Sequence, residues 1–106
     1  MAVYTTIDNP ELYFQVKTYS GTGSENAITL DGDENMQPDL VWLKRRDSTG
    51  SHRLFDAVRG ATKEMYSDAN NAEGTEAQSL KSFDSDGFTM GTDAATNGSS
   101  RTYVAW

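Results

Sequence analysis

Short apolar runs separated by turn residues dominate this chain, and they predict an all-β fold. The clearest run is LVWL at 40–43, which follows Pro38 and precedes three consecutive cations. Proline disfavours helix in the residue before it, so the run begins after a turn and is typical of a strand. Its apolar residues are continuous rather than alternating. This pattern predicts a central strand that is covered on both faces.

Other segments carry weaker signals of the same kind. Asn9 as a cap and Pro10 at a first helical position predict one helical turn through about Tyr13. Further strands are predicted at 14–19, 27–30, 54–58, 80–83, 88–90 and 101–106. The turn at 84–87 joins two of them into a hairpin. Segment 62–66 fits strand or helix on pattern alone.

Two long polar loops are predicted between these strands. Residues 67–78 form the first loop, with a weak helix around 72–77 as the alternative, and residues 91–100 form the second. Short strands spaced in this way favour an antiparallel β-sandwich or jelly roll. We expect an N-terminal arm, 1–15, followed by one sandwich domain, 16–106. The apolar ending YVAW predicts that these residues are the ordered first part of a longer polypeptide.

Composition limits the partners that this domain can have. A length of 106 residues with 36% hydrophobic residues indicates a single domain with a thin core. The net charge of −7 works against binding nucleic acid or an anionic membrane. No apolar run approaches the roughly 20 residues that span a bilayer, so membrane insertion is not expected. The absence of cysteine excludes disulfides and thiolate metal sites.

The sequence contains no group of residues with the types and spacing that a catalytic site requires. His52 follows Ser51, but neighbours on an extended chain point to opposite faces, so this serine is not activated by that histidine. We predict an ordinary turn histidine. Pairs of acids suited to glycoside hydrolysis arise by chance among sixteen carboxylates and carry no information. The chain is therefore predicted not to be an enzyme, and no catalytic or ligand-binding residue is assigned.

Two acidic turns resemble the first half of a calcium loop. The first contains Asp31, Asp33 and Asn35, and the second contains Asp84 and Asp86. The glycine and distal glutamate of the full motif are missing at the required offsets after Asp31. Aspartate and glycine are also the residues that tight turns select. We therefore predict turns, with no metal and no cofactor.

Cations and tryptophans offer the remaining candidates for binding. The only basic cluster is Lys44, Arg45, Arg46, Arg53 and Arg59. Lys44 and Arg46 share one face of a strand, where they are predicted to be solvated; the alternative is a grip on an acidic subunit or on sugar carboxylates. Trp42 and Trp106 lie in apolar strands and are predicted to pack in the core, with sugar stacking as the alternative.

Five segments together form a longer pattern: YSGTG at 19–23, QPDLVWLK at 37–44, LFDAVRGATK at 54–63, LKSFDSDGFTMG at 80–91 and YVAW at 103–106. In this order they resemble tail-fibre-like virion structural proteins of marine bacteriophages, of the cyanophage type. The resemblance covers nearly the whole chain and corresponds to the N-terminal portion of such a protein.

The resemblance implies a lectin-like, concanavalin-like sandwich in a structural protein of the virion, assembled in the host bacterial cytoplasm. The expected role is a fibre-like module that anchors to or decorates the particle and presents host-interaction segments. Expected partners are other virion proteins and further copies of this chain, with a trimer favoured. The alternative is a carbohydrate-binding module that recognises host surface glycans through the long polar loops. Tyr66 and Tyr103 are the aromatic residues nearest these loops, but neither is assigned as a site.

Overall fold

A computed structural model describes residue 6 and residues 8–106, and nine short strands make up most of its regular structure. A 3₁₀ helix at Pro10–Leu12 comes first, and an α-helix, α1, spans Ala94–Asn97. The strands are β1 Lys17–Ser20, β2 Asn26–Thr29, β3 Leu40–Arg45, β4 Arg53–Asp56, β5 Lys63–Glu64, β6 Gly74–Thr75, β7 Leu80–Asp84, β8 Gly87–Met90 and β9 Thr102–Ala105.

The strands form antiparallel sheets, which confirms the predicted all-β class. One sheet has four strands in the order β1-β9-β3-β4, and the second has three in the order β2-β8-β7. Strands β5 and β6 pair as a small ribbon. A bridge between Leu54 and Met65 attaches this ribbon to the β4 edge of the larger sheet.

The core lies between the two main sheets and is built by the alternation of each strand. Tyr19, Val41, Phe55 and Tyr103 enter it from the four-stranded sheet, and Phe88 meets them from the other sheet. Tyr19 stacks on Tyr103 at a centroid distance of 5.2 Å and meets Phe88 edge to face at 6.2 Å. Such pairs contribute about 0.5–1.5 kcal/mol each beyond the area they bury. The aromatic residues therefore hold the two layers together.

The buried tyrosine hydroxyls reach the segment that closes one end of the sandwich. The Tyr19 hydroxyl donates to the Thr96 carbonyl at 2.8 Å, and the Tyr103 hydroxyl accepts from the Gly98 amide at 2.9 Å. Burial, and secondarily the neighbouring Tyr103, raises the pKa of Tyr19 well above its ordinary value. Tyr19 therefore remains a neutral hydrogen-bond donor throughout the neutral pH range.

Asn97 joins the same closing segment to the loop between β1 and β2. Its side-chain amide nitrogen donates to the carbonyls of Ser24 and Gly91, at 2.6 and 2.8 Å. Its amide oxygen accepts from the Thr22 backbone and from Asn26, both at 3.1 Å. Asn97 is fully buried, and these bonds satisfy backbone groups that have no strand partner.

Several predicted elements occur with altered limits. The hairpin at 80–90 and the helical turn near Tyr13 are present, and Asn9 caps that turn as expected. Segment 62–66 contains the strand β5. The strand predicted from residue 14 begins only at Lys17. The remaining part of the predicted arm, residues 1–5 and 7, lies outside the described residues.

Three interpretations of the pattern were wrong. The run at 40–43 is not covered on both faces, because Val41 and Leu43 are buried while Leu40 and Trp42 are 57% and 39% exposed. The weak helix around 72–77 does not form, and β6 lies there instead. The loop at 91–100 contains α1, which begins where the Asp93 side chain accepts the Ala95 amide.

No helix in the described part of the chain is long and apolar enough to cross a membrane.

Candidate aromatic binding face

An apolar row crosses the outer face of the four-stranded sheet, on the side away from the core. Trp42 and Trp106 exchange both backbone hydrogen bonds and therefore lie directly opposite each other. Trp42 is also opposite Leu54, which is in turn opposite Met65. Opposed residues point to the same face, so the four side chains form one line across the strands. We call Trp106, Trp42, Leu54 and Met65 the outer row.

The placement of both tryptophans contradicts the prediction that they pack in the core. Trp42 is 39% exposed and Trp106 is 38% exposed, because alternation sends Val41, Leu43 and Ala105 inward and their neighbours outward. The two ring centroids lie 5.5 Å apart with a tilt of 52° between the planes. The sheet therefore presents two adjoining indole rings to solvent.

His52 fixes the orientation of one of these rings. The Trp42 indole nitrogen donates to His52 Nδ1 at 2.9 Å, and the two rings lie 5.6 Å apart. The His52 backbone amide donates to Asp68 at 3.2 Å. Thus His52, predicted to be an ordinary turn histidine, supports Trp42 in this structure. Ser51 beside it is exposed.

Replacing His52 tests this support. In His52→Phe a ring is retained but the acceptor is lost, so Trp42 turns more freely and meets more water. We expect a red-shifted tryptophan emission and a loss of about 1 kcal/mol or less in the free energy of unfolding, because water replaces the lost partner. Steady-state fluorescence and urea titration measure both. Ser51→Ala is the matched control and should change neither; an emission spectrum unchanged in His52→Phe would contradict the role given to His52.

A cavity of about 340 Å³ adjoins the tryptophans at one end of the sandwich. Its lining includes six exposed apolar residues, together with core residues such as Phe88; the six are Leu12, Tyr13, Phe14, Leu40, Trp42 and Trp106. The 3₁₀ helix and the strand β3 thus place their exposed apolar residues around one concavity. Gln37 and Asp39 add an amide and a carboxylate to its wall.

The predicted basic cluster is divided by the fold. Arg45 pairs with Asp47 at 2.7 Å, Arg53 lies 3.2 Å from Glu64, and Arg59 pairs with both Asp56 and Glu73. A hydrogen bond from the Arg45 side chain lowers the pKa of Asp47. Lys44 and Arg46, in contrast, line a shallow polar depression together with His52.

Arg53, Glu64 and Tyr66 form a separate, largely inward cluster. The Arg53 guanidinium lies 4.2 Å from the centre of the Tyr66 ring, and the Tyr66 hydroxyl donates to Glu64 at 3.2 Å. Burial raises the pKa of Tyr66, with Glu64 acting in the same direction and Arg53 against it. The cluster anchors β5 to β4 and leaves the Tyr66 ring covered by Arg53.

The carboxylates of the acidic turns bind other residues of the chain. Asp31 pairs with Lys17 at 2.9 Å, and this bond lowers the pKa of Asp31. Asp84 accepts from the hydroxyls of Ser82 and Thr89, and Asp86 accepts from the Met36 amide. Among the described residues, no group of three or more His, Asp or Glu side chains is placed to hold a metal ion.

The outer row was not found from the sequence, although its two tryptophans were named as candidates. Tyr103, the aromatic residue near the second loop, is buried and cannot contact a ligand. The sequence of β3 did contain a signal for the exposure of Trp42. Its two neighbours, Val41 and Leu43, must point to the face of the strand opposite to Trp42. Continuous apolar runs conceal this alternation, because both faces read as equally apolar.

Comparison with known proteins gives one match. A family model described as "Domain of unknown function (DUF7483)" matches residues 9–106. The match runs from the cap of the 3₁₀ helix to Trp106 and includes every strand and the outer row. No curated protein and no solved structure matches the chain.

Proposed function

The chain belongs to the DUF7483 family, and we propose that it serves as a non-enzymatic structural and interaction module of a bacteriophage virion fibre. In this role a lectin-like sandwich is the scaffold, anchors to or decorates the particle, and presents a binding surface to the host. The five-segment resemblance to tail-fibre-like proteins supports this role, since those segments lie within residues 9–106.

One structural observation carries the proposal. Six exposed large apolar side chains surround a single cavity, namely Leu12, Tyr13, Phe14, Leu40, Trp42 and Trp106. Single exposed apolar residues are ordinary, whereas a contiguous group of this kind marks a surface that contacts something else. A module whose task is attachment requires such a surface, and a passive spacer does not.

Locating the chain in its particle tests the proposal directly. Purified virions examined by electron microscopy and by mass spectrometry of their proteins should contain the chain in a fibre-like appendage. Antibody against the domain should label that appendage. Consistent absence of the chain from purified particles, with its presence in infected cells, would contradict a virion role.

Self-association offers a second test, since fibres of this type are expected to be trimers. We propose that Tyr13 and Phe14, which are 64% and 60% exposed, contribute to the contact between subunits. Light scattering should give a trimer for the unchanged protein and a monomer for the double variant Tyr13→Ser, Phe14→Ser, because apolar burial drives such contacts. Val58→Ser removes an apolar side chain that is 97% exposed elsewhere and should leave the trimer intact. A monomer at every concentration would overturn this part.

Carbohydrate binding is the second candidate, and the exposed tryptophans favour it. Sugar sites combine an exposed aromatic ring with amide or carboxylate neighbours. Trp42 and Trp106 supply the rings, and Gln37 and Asp39 lie in the same cavity wall. The sequence placed this function in the polar loops, whereas the structure favours the outer face of the four-stranded sheet.

A further inference from the structure

We propose that the outer face of the four-stranded sheet binds an acidic sugar, a pyranose that carries a carboxylate, through Trp42, Trp106, Lys44 and Arg46. This inference rests on the carbohydrate-binding candidate and names its ligand class. Two features of the face carry it: the adjoining indole rings, and two cations that line one depression, Lys44 in β3 and Arg46 just after its end.

The indole rings suit the apolar face of a sugar ring. One face of a pyranose presents C–H groups, which pack against an aromatic ring. Trp42 is held by its hydrogen bond to His52 and by its packing on Trp106, so its ring is already oriented before any ligand arrives. Preorganisation of this kind lowers the entropic cost of binding.

The cations lie in line with Trp42. Side chains two residues apart on a strand share a face, at a separation of about 6.6–6.8 Å, so Lys44 follows Trp42 on the outer side. Arg46 comes one residue after the end of β3, and it lines the same depression as Lys44. Lys44 is opposite Val104 in the register, next to the pair formed by Trp42 and Trp106. A carboxylate on a sugar that stacks on Trp42 therefore faces Lys44.

These two cations differ from most others in the protein. Among the described residues, five Lys or Arg side chains pair with carboxylates: Lys17, Arg45, Arg53, Arg59 and Lys81. Within the same part of the chain, Lys44 and Arg46 have no carboxylate partner. Lys44 Nζ donates instead to the backbone carbonyls of Arg45 and Ser48, at 2.7 and 3.3 Å. These bonds hold the ammonium in place without neutralising its charge.

The surroundings of the cations are compatible with an anion. Asp47 and Asp68 also line the depression that Lys44 and Arg46 share. Asp47 is paired with Arg45, and Asp68 accepts a hydrogen bond from the His52 amide. The hydroxyls of Ser48, Thr49 and Ser51 provide neutral partners for sugar hydroxyls. The face thus offers two cations beside the rings within a protein of net charge −7.

Two other occupants fit the face less well. An extended acidic peptide commonly binds by adding a strand at a sheet edge, but β3 is paired on both sides, with β9 and β4. A second copy of the chain is proposed to make contact through Tyr13 and Phe14, and that contact leaves Lys44 and Arg46 without an anionic partner. An acidic sugar can pack its ring on the indoles and pair its carboxylate with the cations.

Paired sugars that differ only in charge test the proposal. Trimers of galacturonic acid and of mannuronic acid are each compared with their neutral methyl esters by isothermal titration calorimetry. We expect at least one acid to bind about tenfold or more tightly than its ester, because a charge-assisted hydrogen bond contributes roughly 1.5–3 kcal/mol. Added NaCl should weaken binding of the acid and leave that of the ester unchanged.

Variants assign the contributions to residues. Lys44→Gln with Arg46→Gln should reduce the affinity for the acid to that for the ester. Trp42→Ala should abolish binding of both, with circular dichroism and urea titration confirming the fold. Lys81→Gln removes a cation from the other sheet and should change neither affinity.

The outcomes separate this inference from the function on which it rests. Equal binding of acid and ester would overturn the acidic-sugar proposal and leave carbohydrate binding intact. If neither the acids nor the esters bind, both the acidic-sugar proposal and the carbohydrate-binding candidate are contradicted. A change of oligomeric state in Trp42→Ala, without sugar binding, would identify the face as a subunit contact and overturn the proposal as well.

Discussion

Asn97→Ala should lower the free energy of unfolding by about 2 kcal/mol. The substitution leaves the carbonyls of Ser24 and Gly91 and the amide of Thr22 without their partner. The Gly91 carbonyl is buried, and leaving it unpaired costs about 1–3 kcal/mol, whereas Thr22 and Ser24 are exposed, so water can replace the lost partner there. Urea titration followed by circular dichroism measures the change as a shift in the midpoint.

The control for this variant is an asparagine of the exposed loop. Asn71→Ala should change the stability by less than about 0.5 kcal/mol, because Asn71 is exposed and no described contact depends on its side chain. A loss of under 1 kcal/mol in Asn97→Ala would show that the closing segment does not depend on this side chain. The hydrogen-bonded connection from α1 to the β1–β2 loop would then be incidental to the fold.

Gly87→Ala should be at least as damaging, with a loss of about 3 kcal/mol or more. Gly87 is opposite Thr29 at the start of β8 and has a φ of 152°. A Cβ at this position would overlap the Ile28 carbonyl oxygen and lie 3.2 Å from the Thr29 Cα. Relief of that overlap requires β2 and β8 to separate, which disturbs the centre of the three-stranded sheet.

Gly50 offers a control with the same backbone angle and open surroundings. Its φ is 154°, yet a Cβ there meets nothing within 4 Å. Gly50→Ala therefore carries the conformational strain alone, about 1 kcal/mol. The difference between the two alanine variants measures the close approach of the strands. Equal losses in both would show that strain, and not the contact with β2, determines the requirement for glycine.

Local signals predicted the elements in which neighbouring residues decide the structure. The hairpin of β7 and β8 follows from aspartate and glycine between two apolar runs, because these residues set the turn without help from the rest of the chain. The helical turn follows in the same way from Asn9 and Pro10. The strand β3 was predicted from its proline boundary, and its central place in the sheet is confirmed.

The candidate site depended on information that the sequence does not display. A continuous apolar run shows that both faces of a strand are apolar, but it does not show whether a second layer covers each face. Among the described residues, a second layer covers only the inner face of β3. Trp42 and Trp106 were therefore assigned to the core. Their exposure depends instead on the strand register with β4 and β9, and on the absence of a third layer among the described residues.

The importance of Asn97 was also hidden, for a different reason. Polar side chains at 91–100 resemble a surface loop, yet the Asn97 bonds join residues more than 70 positions apart in the chain. Such long-range pairing leaves no local pattern. The short helix α1 did leave a signal, since Asp93 before two alanines has the composition of a capped helix start.

The two faces of the four-stranded sheet carry different kinds of residue. The inner face of the four-stranded sheet carries the stacked tyrosines and holds the two layers together. The outer face carries indoles and cations that the fold does not bury. Substitutions on the outer row should therefore alter binding with little effect on stability, whereas those in the core should do the reverse.

The most direct test of the account is a nuclear magnetic resonance titration of the unchanged protein with the acidic trimers. The indole N–H signals of Trp42 and Trp106 report on the outer face, and amide signals of β7 and β8 report on the opposite sheet. We predict shifts of both indole signals and of the amides of Lys44 and Arg46, with the signals of β7 and β8 unmoved. Shifts confined to the three-stranded sheet, or no shifts at millimolar sugar, would contradict the assignment of this face as the binding surface.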